Sequence, residues 1–199
     1  MSESFVFTPE NKALADKFIA KYPAGRQASA VLPLLDLAQR QMGGWLPRAA
    51  MDHVAETLEM APIRVYEVAT FYSMFNLKPV GRHLIQICRT TPCWLRGSDQ
   101  LTEACKAKLG VGLKETTADG KFTLTEVECL GACANAPMVQ INDDYYEDLD
   151  AEKMVGLLEA LARDEKPKAG SQIGRPGSAP EGGPTTLLEF AEKKQAESC

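Results

Sequence analysis

The sequence predicts an α+β chain in two folded parts: a helical bundle over residues 1–80, then a mixed α/β domain over 81–165. A Gly/Pro-rich arm and tail complete it over 166–199. Three observations carry this. Apolar residues recur at helical spacing through the first part. Short apolar runs alternate with segments of helix length through the second. Nine glycines and prolines then fall within residues 166–186, a composition from which no core can be built.

In the first part, Thr8-Pro9 reads as a helix start, with Thr at the N-cap and Pro at the first helical position. Leu14, Phe18 and Tyr22 follow at four-residue intervals, and Tyr22-Pro23 ends the run. A second helix is expected over residues 29–42. Val31, Leu34, Leu35 and Ala38 form its apolar stripe, and Gly43-Gly44 stops it. Pro33 suits only the first turn, so a kink is expected there. Pro47 opens a third helix with Met51, Val54 and Leu58. Ala61-Pro62 starts a fourth with Val65, Val68, Ala69, Tyr72 and Phe75. Short connections suggest an antiparallel bundle. Tyr66, Phe71, Tyr72 and Phe75 are expected to be core, with a docking face as the alternative.

In the second part, residues 83–88 fit a strand, 98–109 a helix closed by Gly110, and 121–125 a strand after the Asp119-Gly120 turn. Residues 138–141 and 145–147 flank Asn142-Asp143-Asp144 as a hairpin. Asp150 caps a last helix bearing Met154, Leu157, Leu158 and Leu161. The order of strand, helix, strand, hairpin and helix matches a thioredoxin-like domain. For residues 166–186 the readings are a tail without structure of its own, or an arm that orders only on a partner. Truncation after Glu165 is then expected to weaken assembly with that partner yet leave the spectrum of any bound metal group unchanged.

Composition excludes several functions. A formal net charge of -5 offers no nucleic-acid surface. No apolar run is long enough to span a bilayer. Residues 1–12 read as neither a secretory leader nor a transit peptide. A reducing compartment is therefore expected, where metal ligation is favoured over disulfides. There is no G-x-G-x-x-G fingerprint and no P-loop, so no NADH site or independent catalysis is expected, and no catalytic residues are assigned. His53 and His83 read as structural.

The chemistry-bearing residues are four cysteines. Cys88 and Cys93 form a C-x4-C pair and Cys129 and Cys133 a C-x3-C pair, with 35 residues between the pairs. Four thiolates so spaced suit a [2Fe–2S] cluster. Structural zinc usually takes tighter C-x2-C knuckles, and thioredoxin-type redox sites need C-x-x-C. Bacterial and plant-type ferredoxin runs differ, and a Rieske centre needs two histidine ligands. Spacing alone leaves zinc, and disulfides or spare thiols, as the alternatives. Around the pairs, Arg89, Arg96 and the residue 89–92 loop offer positive charge and donors. Gly131 either permits close approach or a positive φ, or is simply a turn glycine. Cys105 falls on the apolar face of its helix and reads as a small buried hydrophobe. Cys199 reads as incidental.

These residues, in their setting, carry a resemblance. Cys88-Arg89-Thr90-Thr91-Pro92-Cys93, Val127-Glu128-Cys129-Leu130-Gly131-Ala132-Cys133 and Ala136-Pro137-Met138-Val139 lie beside Thr116-Thr117-Ala118-Asp119-Gly120 and Phe122-Thr123-Leu124. Upstream is Val65-Tyr66-Glu67-Val68-Ala69-Thr70-Phe71-Tyr72. Together they closely resemble the E subunit family of NADH:quinone oxidoreductase (respiratory complex I), known in mitochondria as the 24-kilodalton subunit, over roughly residues 8–165. The resemblance implies one [2Fe–2S] cluster, ligated by Cys88, Cys93, Cys129 and Cys133, in a thioredoxin-like domain behind a helical bundle. It implies an electron-transfer subunit paired with a flavoprotein that binds FMN and NADH, in a peripheral arm on the cytoplasmic side of a bacterial membrane or the matrix side of a mitochondrial one. Related subunits of NAD-linked hydrogenases and formate dehydrogenases, and free thioredoxin-like ferredoxins, are the alternatives.

Overall fold

The computed structural model describes residues 4–180, 182–183 and 185–188. Cys199 and the rest of the tail lie outside the described residues. The chain divides into two compact units between Arg82 and His83.

The first unit is built from four helices: α1 (Pro9–Ile19), α2 (Val31–Gln41), α3 (Arg48–Thr57) and α4 (Pro62–Phe71). Thr8 caps α1 as expected, its hydroxyl accepting from the Asn11 N–H at 3.3 Å. The buried face of α1 differs from the expectation: Ala15 is buried and Leu14 exposed. Phe18, Ile19 and Tyr22 pack on the core around it. A 3-10 turn (Gln27–Ala30) precedes α2. Pro33 therefore sits in the first α-helical turn, where its missing N–H breaks no intrahelical bond. The expected stripe of α2 is buried in full, and α2 packs against α1, α3 and α4.

Helix α4 ends earlier than its periodicity suggests. Tyr72 is its C-cap and already extended. The aromatic set splits accordingly. Phe75 is buried, Tyr66 is half-buried, and Phe71 and Tyr72 are exposed, so the expectation of a common core holds only in part. Gln39 fixes the segment beyond α4. Its amide donates to the Met74 carbonyl at 3.0 Å and accepts from the Asn76 N–H at 2.7 Å. His53 stacks edge-on against Phe5 and Phe7.

The second unit has a thioredoxin-like fold. Strand β1 (His83–Cys88) leads through two helices, α5 (Thr91–Leu95) and α6 (Ser98–Leu109), and a short β2 (Glu115–Thr116) to β3 (Phe122–Val127). The hairpin of β4 (Val139–Ile141) and β5 (Asp144–Glu147) follows, then α7 (Ala151–Ala162) and β6 (Gly170–Ser171). The sheet order is β2-β3-β1-β4-β5-β6. Strands β1 and β3 are parallel, as are β5 and β6, and the other pairings are antiparallel.

Ile85, Ile87, Leu124, Val139 and Ile141 form a core with Leu101 and Cys105 of α6 and with Met154, Leu157, Leu158 and Leu161 of α7. Gly110, at a φ of 67°, closes α6 in the left-handed conformation that ends many helices. The Asp150 carboxylate accepts from the Lys153 N–H at 2.8 Å and so caps α7.

Two departures concern the arm and the first cysteine loop. Cys93 lies on a short helix, α5, where a plain loop is expected, with Pro92 accommodated in its first turn. The arm does not wait for a partner over its first part. Gly170–Ser171 adds a strand beside β5, and Arg175 and Gly177 bond to the domain beyond it. The reading of this tract as structureless is corrected: backbone ladder bonds and one buried ion pair order it where no apolar core exists.

Candidate metal centre

Sheet topology gathers the cysteines at one end. Strands β1 and β3 run parallel and in register from His83 opposite Phe122 to Cys88 opposite Val127, so they finish side by side. Cys88 ends β1 and Cys129 follows β3 by two residues. Strand β4 starts at that same end, because it is antiparallel to β1 with Val139 opposite Ile87. The second loop, carrying Cys129 and Cys133, is thus held between two strand ends, and Cys133 opens a 3-10 turn (Cys133–Asn135).

The thiols stand as two pairs. Cys129 and Cys133 have their Sγ atoms 3.5 Å apart and are exposed. Cys88 and Cys93 are buried. Ala136 and Met138 line their side of the site, with Leu130, Ala132 and Tyr145 packed against them. Donors face the sulfurs. The Gly131 N–H donates to Cys129 Sγ at 3.4 Å, and the Thr90 hydroxyl lies 3.5 Å from Cys88 Sγ. The φ of Gly131 is +87°, a conformation that L side chains rarely adopt, and a Cβ there would meet no protein atom within 4 Å.

The thiols titrate unequally. Burial pushes Cys88 up, but the Thr90 hydroxyl, the Leu130 and Thr90 N–H groups and Cys93 outweigh it, and the net direction is downward. Burial, with Cys88 adding to it, pushes Cys93 up to about 12. The Gly131 N–H, then the Cys133 and Thr90 side chains, hold Cys129 below the ordinary thiol value. Cys133 is raised, chiefly by Cys129. Each pair thus contains one thiol shifted toward the thiolate, the form that binds metal.

This donor set fits a two-iron cluster. Two irons need two pairs of sulfurs, whereas a single zinc needs its donors on one centre. The Cys129–Cys133 separation is also far beyond the ~2.05 Å of a disulfide bond. Cys105, as expected, lies apart in the core of α6, its thiol pushed up by burial to about 12. His83 stacks on Phe122 with ring centroids 5.3 Å apart. Of the two arginines singled out, Arg89 pairs with Glu126 at 3.6 Å, and Arg96 donates to the Ala136 carbonyl at 3.4 Å. Beside Cys93, Trp94 and Leu95 are exposed.

Sequence reasoning missed the residues that brace the second loop. Tyr145 donates to the Leu130 carbonyl, and Asn135, Asp148, Ser171 and Arg175 form a connected group beyond Cys133. One signal was present. Arg175 is the sole charged residue between Lys168 and Glu181, which is unusual in a solvated linker.

Comparison with known proteins agrees with this geometry. Residues 15–162 match the family model of the thioredoxin-like [2Fe-2S] ferredoxins. The chain is 62% identical over 166 residues to the E subunit of the NADH-quinone oxidoreductase of Rickettsia felis, covering 83% of this chain and 99% of that protein. It is 51% identical over 185 residues to the mitochondrial NADH dehydrogenase [ubiquinone] flavoprotein 2 of Dictyostelium discoideum, covering 93% of this chain and 75% of that one. The solved NAD+-reducing [NiFe]-hydrogenase in its H2-reduced state shares the fold, with a TM-score of 0.60 at 22% identity, over 67% of this chain and 23% of that one. The match runs through the helices, the thioredoxin-like sheet and both cysteine pairs, and this chain belongs to the thioredoxin-like [2Fe-2S] ferredoxins, in the family of NADH-quinone oxidoreductase E subunits.

Proposed function

We propose that this chain is the electron-transfer subunit of the NADH-oxidising module of NADH:quinone oxidoreductase, holding one [2Fe–2S] cluster on Cys88, Cys93, Cys129 and Cys133. The observation that carries this is the meeting of two thiol pairs at one sheet end, in a chain that covers nearly the whole of a bacterial E subunit. When bound, the cluster supplies one-electron redox chemistry.

The chain's own residues do the rest. Cys88 and Cys93 anchor one side in a water-poor pocket. Cys129 and Cys133 present the other side to solvent, the side an electron partner can approach. Donors from Gly131 and Thr90 stabilise negative charge on sulfur and so favour the reduced state. FMN and NADH belong to a partner flavoprotein, in keeping with a sequence that carries no dinucleotide fingerprint. The exposed Trp94 and Leu95 beside Cys93 suit a docking rim. No described helix is long and apolar enough to cross a membrane. The place assigned is a peripheral arm on the cytoplasmic face of a bacterial membrane. The hydrogenase likeness extends to the fold alone, whereas identity to the oxidoreductase E subunit reaches 62%.

The test is low-temperature EPR of the anaerobically purified chain before and after dithionite, with iron and sulfide assayed on the same sample. A signal only after reduction, with about two irons and two sulfides per chain, is expected. Zinc and silence in both states overturn the reading. Gel filtration with the FMN-binding flavoprotein tests the partner: co-elution is expected, and separate elution favours a free carrier.

A further inference from the structure

The arm returns to the metal centre. Strand β5 ends at the same sheet edge where β4 begins, since Tyr146 lies opposite Val139. Strand β6 runs parallel to β5, with Gly170 opposite Tyr146, so the arm leaves the sheet at that end too. It meets the turn that starts with Cys133. There the Arg175 guanidinium grips Asp148 with two nitrogens, Nε at 3.1 Å from Oδ2 and Nη2 on Oδ1. The same Nη2 donates to the Ala134 carbonyl at 2.8 Å, and Nη1 donates to the Ala179 carbonyl at 3.0 Å. Both charged side chains are nearly buried, at 12% and 5% exposed.

We infer that the buried Arg175–Asp148 pair is a latch by which the arm positions the Cys133 turn, making Arg175 a positioning residue for the second cysteine pair. The inference rests on the cysteine assignment made above, and its readouts separate the two.

The turn has little else to hold it. It is three residues long, and its internal backbone bond runs from the Asn135 N–H to the Ala132 carbonyl at 3.0 Å. Besides the contact of Cys133 Sγ with Cys129 Sγ at 3.5 Å, the ties of Asn135 beyond the turn lead to the latch. The Asn135 carbonyl accepts from the Asp148 N–H at 2.8 Å, and the Asn135 amide donates to the Gly177 carbonyl at 2.8 Å. Asp148 in turn accepts from the Ser171 hydroxyl at 2.6 Å. The ion pair therefore clamps the turn from both sides, strand end and arm.

Arginine is the residue for this task. A planar fork can satisfy both carboxylate oxygens and a carbonyl at once, which a lysine ammonium cannot reproduce. Removing the guanidinium leaves the Asp148 carboxylate buried without its counter-charge and the Ala134 carbonyl without its donor. The turn then gains freedom at the residue next to Cys133. Outer partners of metal ligands act in this way, by fixing ligand orientation.

The test uses the full-length chain, anaerobically purified, as wild type, Arg175→Ala, Arg175→Lys and Cys105→Ala. The last opens a small cavity in the core of the same unit, outside the latch, and controls for general loss of stability. Three quantities are read: the rate of visible-absorbance loss in excess chelator, the g-values and linewidth of the reduced EPR signal, and hydrogen exchange at the Asn135 and Asp148 amides. Arg175→Ala is expected to release the cluster roughly 10- to 100-fold faster, to shift or broaden the signal, and to exchange both amides faster. Arg175→Lys should fall between it and wild type, and keeps the question decidable if the alanine variant does not fold. Cys105→Ala should match wild type in all three. Release and exchange at wild-type rates in both Arg175 variants, or effects equal to those of Cys105→Ala, overturn the latch. A wild-type chain without iron refutes the cluster assignment instead, and amide exchange still decides whether Arg175 holds the turn.

Discussion

The Tyr145 hydroxyl donates to the Leu130 carbonyl at 3.0 Å. That bond joins strand β5 to the first residue of the loop between Cys129 and Cys133, and the ring packs against the apolar cluster that includes Cys88 and Cys93. Tyr145→Phe keeps the ring and removes the bond. It should lower stability by about 1 kcal/mol, the usual worth of one hydrogen bond. Urea unfolding of the purified chain, compared with wild type at equal slope, measures it.

The cysteines should divide sharply by role. Cys129→Ala removes a proposed ligand and should abolish the visible absorbance of the purified chain. Cys105→Ala should leave that absorbance intact, because Cys105 is wholly buried in the core of α6. Its cost is a small cavity, about 1 kcal/mol. Normal absorbance in Cys129→Ala would refute the ligand assignment.

Gly131 separates conformation from crowding. A Cβ there meets no protein atom within 4 Å, yet the φ of +87° is one that L side chains rarely adopt. Gly131→Ala should therefore cost about 1–2 kcal/mol through backbone strain. It should also disturb the N–H that faces Cys129 Sγ. Denaturant unfolding reports the first effect, and a lowered midpoint potential in a redox titration reports the second.

A helix cap outside the cysteine loops should behave differently. Asp150→Ala removes the carboxylate that accepts from the Lys153 N–H at the start of α7. The expected loss is about 1 kcal/mol of stability. The EPR signal of the reduced chain should not change. A changed signal would mean that α7 is coupled to the metal centre.

Much of this molecule can be read from the order of its residues. Caps and breakers such as Thr8-Pro9, Gly43-Gly44, Gly110 and Asp150 act locally, so they mark element ends without knowledge of the fold. The cysteine spacings and the strand–helix–strand–hairpin–helix order are likewise properties of the chain itself. Where the expectation failed, the deciding contact was distant in sequence. Periodicity carries α4 on to Phe75, but Gln39 captures the Met74 carbonyl and the Asn76 N–H from another helix, and the chain turns away. Leu14 fits an apolar stripe, yet helix packing places Ala15 inward.

Thiol identity and spacing are local facts, so the residues that carry the chemistry are legible before any folding. That the two pairs meet is a matter of topology, since only parallel pairing of β1 with β3 sets Cys88 beside the loop of Cys129. The fate of the arm is also set by the fold. Composition denies that segment a core, but composition is silent on a buried ion pair. Asp148 and Arg175 are 27 residues apart and meet only once β6 has joined the sheet.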